Sequence, residues 1–375
     1  MRTTTVLNYF SAHLTGGLNW FRRRAWRQHA LELVLGLVLL SRFRSLAGMA
    51  NEVGGHTSDG LQHFLHDSPW NPFELALAQC EQTAAVVNRH GGPVRLIIDD
   101  TPVERNGKHI EGLGIHHSSK GLVRGLCAVT SCVQRGGLLL SWAALGYRSK
   151  RGCPKGEFRS KVQLAMNVLQ WGLLLKGEVT VLLDSWYACK TILNRIELYG
   201  WRYVVALKSN RRVCVGGQTM RVSTLAKGLR RGVTVYLSKR RRVRVAKFIA
   251  DLPGIGAVAI FVTEVNGAVK YLASNNLALT PQEAVLEYAA RWQIETFHRD
   301  IKQYLGFGEL WMRSWLAIQR HWTLCLLTYN ALKLWNSSLS SRSRRKTLGG
   351  TLRAFRRSVT PAQAGRWMER HLCAA

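Results

Sequence analysis

The chain has 375 residues, of which 53 are Lys or Arg and 22 are Asp or Glu, so its formal net charge is +31. A hydrophobic content of 47% excludes a disordered basic tail and is enough for buried cores in two or three structural units. An excess of positive charge attracts polyanions, so nucleic acid is the favoured partner and an anionic membrane is the alternative.

The longest apolar run argues against the membrane alternative. Leu31–Leu40 has only ten residues and contains Glu32, so it is too short to span a bilayer and predicts a buried helix. No small-residue cleavage site follows this run, which argues against a signal peptide. The eight cysteines include no C-x-x-C pair, and we interpret them as reduced thiols. We therefore expect a cytoplasmic, DNA-associated protein with no membrane partner.

Residues 1–88 predict a helical region. Apolar residues recur at helical spacing, with breaks at Gly54 and Gly55 and between residues 69 and 72. We interpret this stretch as an N-terminal helical DNA-binding region, because its basic face offers contacts to phosphates.

Residues 89–209 have a different pattern and predict the first part of a mixed α/β core. Val94–Ile98 is an apolar run typical of a strand, and it ends at Asp99 and Asp100. Val179–Leu183 is a second buried-type strand that runs directly into Asp184. Further strands are predicted at 125–133, 137–145 and 202–207, and helices at 158–175 and 187–198. Three consecutive strands, then helix, strand, helix and strand, make a mixed sheet.

Residues 210–268 predict a β-rich basic insertion. The interval from 198 to 250 holds 14 Lys or Arg and no acid, which indicates a phosphate-binding surface. The candidate DNA contacts in it are Arg211, Arg212, Arg240 and Arg241. Residues 309–375 predict a C-terminal basic helical region, since 310–368 contains 11 Lys or Arg and again no acid.

Residues 269–308 predict the last part of the core, a helix with an acid among cations. Thr280, Pro281 and Glu283 form an N-cap, a first-turn proline and a capping-box acid. At about 100° per residue, one face within a sector of roughly 60° carries four polar side chains. These are Tyr288, Arg291, Glu295 and Lys302.

Each acid also has an ordinary structural interpretation. Arg291 and Glu295 are spaced as a common i,i+4 ion pair. Asp184 directly precedes a predicted helix and suits an N-cap. Asp99 and Asp100 suit a strand-end turn. Only in combination do they favour catalysis, because a few carboxylates from separate positions suit Mg²⁺, and two such ions about 4 Å apart promote in-line phosphoryl displacement.

The spacing Tyr-x2-Arg-x3-Glu-x6-Lys resembles the signature of DDE transposases of bacterial insertion sequences, which have an RNase H-like core. The segments 291–295, 302–307 and 313–321 are also similar to that group, and the resemblance covers about 94–321. It implies Asp100, Asp184 and Glu295 as the catalytic, metal-binding triad. It also implies that Arg291 and Lys302 contact phosphates and that Tyr288 positions the cleaved strand.

The choice of the first acid rests on strand geometry. Successive strand side chains point to opposite faces, so only one of Asp99 and Asp100 should face the metals. Asp100 is preferred because Thr101 follows it, as Thr or Ser follows the first acid in the relatives.

The resemblance implies a transposase with an RNase H-like mixed sheet, a β-rich insertion before the last catalytic helix, and flanking helical regions. It would use two Mg²⁺ or Mn²⁺ ions to cleave transposon ends and join the 3′-hydroxyl to target DNA. The expected partners are double-stranded DNA, both ends and target, and a second copy in a homodimer. Two alternatives stay open, an RNase H-like nuclease without strand transfer and an inactive transposase-derived DNA-binding protein.

Overall fold

The computed structural model describes residues 3–41, 44–118, 121–238, 241–265, 267–309, 312–345 and 347–372. The N-terminal part is helical, as predicted. Its helices are α1 (Thr3–Asn19), α2 (Arg24–Leu39), α3 (Leu46–Glu52), α4 (Ser58–His66) and α5 (Pro72–Val87).

Helix α2 contains the long apolar run and is a core helix. Its residues from Ala30 to Leu39 are buried all round, which is the pattern of a helix surrounded by protein. Within the described residues, no helix is both long enough and apolar enough to cross a membrane. The interpretation of Leu31–Leu40 as a buried helix is confirmed.

The predicted mixed α/β sheet is confirmed. Its first strands are β1 (Val94–Glu104), β2 (Gly114–Ser118), β3 (Gly121–Arg135), β4 (Leu138–Tyr147), β5 (Val179–Leu183) and β6 (Arg202–Leu207). Strand β3 pairs antiparallel with β1 and β4, whereas β1, β5 and β6 are parallel neighbours. Helix α6 (Lys161–Trp171) leads from β4 to β5, and α7 (Lys190–Leu198) connects the parallel strands β5 and β6. Sequence analysis did not predict β2, because it is short and carries His116 and His117 rather than an apolar run.

The insertion continues this sheet. Its strands are β7 (Arg212–Val215), β8 (Gln218–Arg221), β9 (Val233–Ser238), β10 (Arg241–Leu252) and β11 (Gly256–Val265), with a 3₁₀ helix at Val222–Arg231. Strand β12 (Ala268–Ser274) follows, in the stretch predicted as the last part of the core. Strand β12 pairs antiparallel with β6, and β11 and β10 follow it outward. Twelve strands of the described chain therefore share one sheet. The four-residue strands β7 and β8 were not predicted, because each is too short to show a periodic pattern.

The predicted last helix is divided in two. Helix α8 (Pro281–Ala289) begins with Thr280 as N-cap and has the expected capping box. A 3₁₀ turn at Ala290–Trp292 separates it from α9 (Gln293–Tyr304). Because a 3₁₀ turn winds more tightly than an α-helix, it rotates the residues after it relative to those before it. Helices α10 (Trp315–Ser338), α11 (Leu348–Ser358) and α12 (Pro361–Leu372) complete the fold.

The two faces of the sheet pack against different helices. Ile97 and Leu182 belong to a core with α9, α10 and the N-terminal helices. Ile98 and Leu183 belong to a second core with α6 and α7. Side chains alternate along a strand, so residues 99 and 101 share the face of Ile97 and residue 100 shares the face of Ile98.

Candidate active site

Asp99 faces helix α9. Its Oδ2 accepts a hydrogen bond from Arg291 Nη1 at 2.8 Å, and both side chains are only 14% exposed. Burial is the main cause that raises the pKa of Asp99 to about 7; Arg291 acts against this rise, and Asp184 and Asp100 add to it. A carboxyl group with this pKa gains from any nearby cation that stabilises its charged form.

Asp184 is the neighbour of Asp99 across the parallel strands. Ile98 pairs with Leu183 in the β1 and β5 register, and the next residue on each strand is one of these aspartates. Asp184 Oδ1 accepts hydrogen bonds from the backbone N–H groups of Trp186 at 2.9 Å and Tyr187 at 3.2 Å. Burial raises the pKa of Asp184, although these two hydrogen bonds lower it. The local interpretation of Asp184 as a helix N-cap is wrong, because α7 begins only at Lys190 with Cys189 as its N-cap. Asp184 instead caps the turn that follows β5.

Helix α9 and the turn before it supply the remaining charges. Glu295 is half exposed, and its Oε1 lies 3.9 Å from Arg291 Nη2. Lys302 Nζ donates to the backbone oxygen of Pro102 at 2.7 Å, which ties the end of α9 to β1. Burial lowers the pKa of Lys302.

Asp100 points to the opposite face and is held by three side chains. Its Oδ2 accepts from Lys161 Nζ at 2.5 Å, and its Oδ1 accepts from the Tyr187 hydroxyl at 3.2 Å. The Cys127 thiol lies 3.6 Å from Oδ2. Burial acts to lower the pKa of Lys161, but Cys127 and Asp100 together raise it above its ordinary value.

One cleft of about 910 Å³ joins the predicted acids. Asp99, Asp100, Asp184 and Glu295 all line it, together with Arg291 and Lys302. Tyr288 does not line this cleft. With Arg291 and Arg241 it lines a separate groove between α8 and the insertion. The 3₁₀ turn between Tyr288 and Glu295 explains why the predicted four-residue face is divided between two surfaces.

The remaining predicted DNA contacts lie elsewhere. Arg212 begins β7 and is exposed, and Arg211 directly precedes it; neither lines the cleft or the groove beside Tyr288. Arg240 lies outside the described residues.

Among the cleft residues that the sequence analysis did not indicate, three make notable contacts. Lys161 and Trp186 line the wall of the cleft, and His298 lies beneath Asp99. His298 Nε2 is 2.6 Å from Thr130 Oγ1, which also donates to the backbone oxygen of Asp99 at 3.2 Å. Burial lowers the pKa of His298 to about 3, so the ring is neutral at ordinary pH. The only sequence signal for His298 is its position on α9 between Arg291 and Lys302.

The donor chemistry fits a hard divalent cation at the aspartate pair. Asp99 and Asp184 are adjacent carboxylates whose mutual repulsion a cation relieves. Within the described residues, however, no three His, Cys, Asp or Glu side chains are gathered closely enough to hold a metal ion. Arg291 supplies the positive charge that contacts Asp99.

Comparison with known proteins identifies the class to which this acid-lined cleft belongs. The family model described as DDE superfamily endonuclease matches residues 12–249, which include Asp99, Asp100 and Asp184 and end before α8 and α9. Since this is more than half of the chain, the protein belongs to the DDE superfamily endonuclease family. No curated protein matches the chain.

A solved structure supports the same fold. It is the cryo-EM structure of piggyBac transposase in a synaptic complex with hairpin DNA. The TM-score is 0.56 at 14% sequence identity, and the match covers 98% of this chain and 79% of that chain. The mixed α/β fold with flanking helices is therefore that of a DDE transposase.

Proposed function

We propose that the protein is a transposase of a bacterial insertion sequence that cleaves DNA at the ends of its element and joins the freed 3′-hydroxyl to target DNA. The observation that carries this proposal is the adjacent pair Asp99 and Asp184, which faces the α9 charges in one cleft. The charge of +31 supports a double-stranded DNA substrate. The protein is proposed to act on DNA in the bacterial cytoplasm.

We propose Asp99, Asp184 and Glu295 as the acids, with Asp99 in place of the Asp100 preferred from sequence. Asp99 shares a sheet face with α9, where Glu295 lies. Asp100 is on the other face, where Lys161 and Tyr187 already occupy its oxygens. Thr101 directly follows only Asp100, and the proposal gives the position of α9 more weight than this spacing.

Two Mg²⁺ or Mn²⁺ ions bound by these acids would activate the attacking oxygen and stabilise the leaving one. The side chains around them have separate tasks. Arg291 keeps Asp99 in place and offers its guanidinium to a phosphate. Lys302 and Arg241 extend the positive surface along the bound strand, and Tyr288 positions that strand from the neighbouring groove. Arg211, Arg212 and Arg240 are proposed to bind more distant phosphates.

The test is cleavage and strand transfer by the parent protein and Asp184→Asn. Labelled DNA with the sequence that flanks the reading frame is the substrate, with Mg²⁺ or EDTA. Mg²⁺-dependent cleavage followed by joining to a plasmid, both lost in Asp184→Asn with DNA binding retained, supports the transposase. Cleavage without joining indicates a nuclease. Binding without any cleavage by the parent indicates an inactive DNA-binding protein. The mass of the DNA complex tests the proposed homodimer, which predicts two protomers in addition to the bound DNA.

A further inference from the structure

Trp186 is unusual among the tryptophans of this chain. In the part of the chain that the structure describes, only Trp186 and Trp292 are largely exposed, at 45% and 67%. Trp186 stands two residues after Asp184, and its own backbone N–H donates to Asp184 Oδ1 at 2.9 Å. The Tyr187 ring meets the indole edge-on at 4.9 Å and still leaves this large area exposed. Exposed aromatic residues in a cleft are typical of binding surfaces.

Lys161 lies on the same wall of the cleft. Its Nζ is 5.6 Å from the centre of the Trp186 ring and 5.3 Å from the centre of the Tyr147 ring. Asp100 accepts a hydrogen bond from this ammonium and also from the Tyr187 hydroxyl. The ammonium group is thus fixed in position, because it is held by a carboxylate that is itself anchored. Only one of its three N–H donors is needed for Asp100.

We propose that Trp186 and Lys161 form a nucleotide-binding wall, at which the indole stacks on an unpaired base and the ammonium contacts a phosphate of the same strand. This ligand fits both side chains, since every base offers a π face and every nucleotide a phosphate. The wall lies beside Asp184. Asp100 is then a positioning residue, which holds Lys161 in place without contacting the substrate.

The inference rests on the proposed function, because it requires DNA to enter the cleft. It does not require the protein to cleave that DNA. The test therefore measures binding in EDTA by fluorescence anisotropy. The probes are a labelled DNA duplex with an unpaired 3′ thymidine tail and the same duplex with blunt ends. The variants are Trp186→Ala, Trp186→Phe and Lys161→Met. Leu198→Ala and Lys155→Met are matched controls, because both side chains are exposed outside the cleft.

We expect Trp186→Ala to weaken binding of the tailed duplex about 10-fold, the effect of losing one stacked base, and to leave blunt-end binding nearly unchanged. Trp186→Phe should retain most of the affinity because it keeps an aromatic face. Lys161→Met should lower the slope of log affinity against log salt by about 0.7, the contribution of one single-strand phosphate. Both controls should bind as the parent does.

Several results would overturn the inference. The first is that Trp186→Ala and Lys161→Met bind the tailed duplex as the parent does. The second is that these variants lose equal affinity for the tailed and the blunt duplex. Tighter Trp186-dependent binding of an RNA tail overturns the assignment to DNA, and a parent protein without affinity for either probe overturns the wall altogether. Cleavage is assayed separately with Mg²⁺. If the protein binds the tail through Trp186 but never cuts DNA, the proposed function is wrong and this inference stands. If the protein cuts DNA in an Asp184-dependent way and Trp186→Ala binds the tail normally, this inference is wrong and the proposed function stands.

Discussion

Asp99 and Asp184 are next to each other because Ile98 and Leu183 are the last residues paired in the β1 and β5 register. The two preceding strands are buried apolar runs, so their relative position is fixed by the core and not by the acids. Two like charges are thereby held together at a sheet end where they would otherwise repel each other. Burial is the main cause of the raised pKa of both groups, and the charge of Asp184 adds to the rise at Asp99.

The two adjacent aspartates of β1 should differ in their effect on catalysis. Asp99→Asn should reduce DNA cleavage by more than about 1,000-fold, or about 4 kcal/mol in the barrier, because it removes a proposed metal ligand. Asp100→Asn should reduce it only about 10- to 100-fold, as expected for a group that positions others. Single-turnover rates with Mg²⁺ measure both, and circular dichroism checks folding. The reverse order of the two effects would restore Asp100 as the first acid.

Metal binding should be visible as thermal stabilisation without DNA. A ligand that binds only the folded state at 100 times its Kd stabilises it by about 2.7 kcal/mol. Mn²⁺ should therefore raise the melting temperature of the parent protein, but not that of Asp184→Asn. Glu178→Gln is the matched control, since this exposed carboxylate pairs with Arg202 and lies outside the cleft. Equal stabilisation of parent and Asp184→Asn would show that the ion binds elsewhere.

Sequence patterns predicted the parts of the fold that depend on apolar runs. Val179–Leu183 and Arg202–Leu207 were placed to the residue, since each is bounded by turns or charges and is buried. The cap at Thr280 was also predicted, because N-caps are local in sequence. Strand β2 was missed because its pairing with the extended end of β3 is a tertiary effect.

The cleft is lined by the acids that the sequence singled out, and their roles stay predictions. Asp99, Asp100 and Asp184 were singled out because they follow apolar strands, and Glu295 because of its helical spacing from Arg291 and Lys302. The face of the sheet that each aspartate occupies depends on the helix packed against it. Asp99 and Asp100 are equivalent in sequence, and only the packing of α9 and α6 on opposite faces distinguishes them. Lys161 and Trp186 could not be found from the sequence, because they are 25 residues apart in the chain and only the fold brings their side chains together.

Glu32 should make stability depend on pH. It is fully buried on α2, its Oε2 lies 2.6 Å from His56 Nδ1, and burial raises its pKa to about 8 from an ordinary value of 4.5. The folded state therefore holds a proton that the unfolded state releases, so the contribution of Glu32 is full below pH 4.5 and is lost as pH rises toward 8. Relative to Glu32→Gln, the parent should lose up to roughly 1.4 kcal/mol for each pH unit in this window.

Urea unfolding of both proteins between pH 5 and pH 8 measures this difference. The exposed Glu52 provides the control, because Glu52→Gln changes the same charge on the neighbouring helix α3. A constant difference between the parent and Glu32→Gln across the window would show that Glu32 has the same protonation in both states.

Arg320 should be important for stability rather than for DNA binding, although it belongs to a strongly basic region. The side chain is 2% exposed. Its guanidinium donates to the backbone oxygens of Leu65 in the last turn of α4 and of Ser68 and Trp70 in the connection to α5. Arg320→Met leaves buried acceptors without partners, at a cost of about 3 kcal/mol. Arg313→Met is the matched control, because it removes the same charge from an exposed side chain nearby. This variant should unfold as the parent does. We expect a lower urea midpoint for Arg320→Met alone and an unchanged salt dependence of its DNA binding. A reduced salt dependence would instead indicate that Arg320 contacts a phosphate.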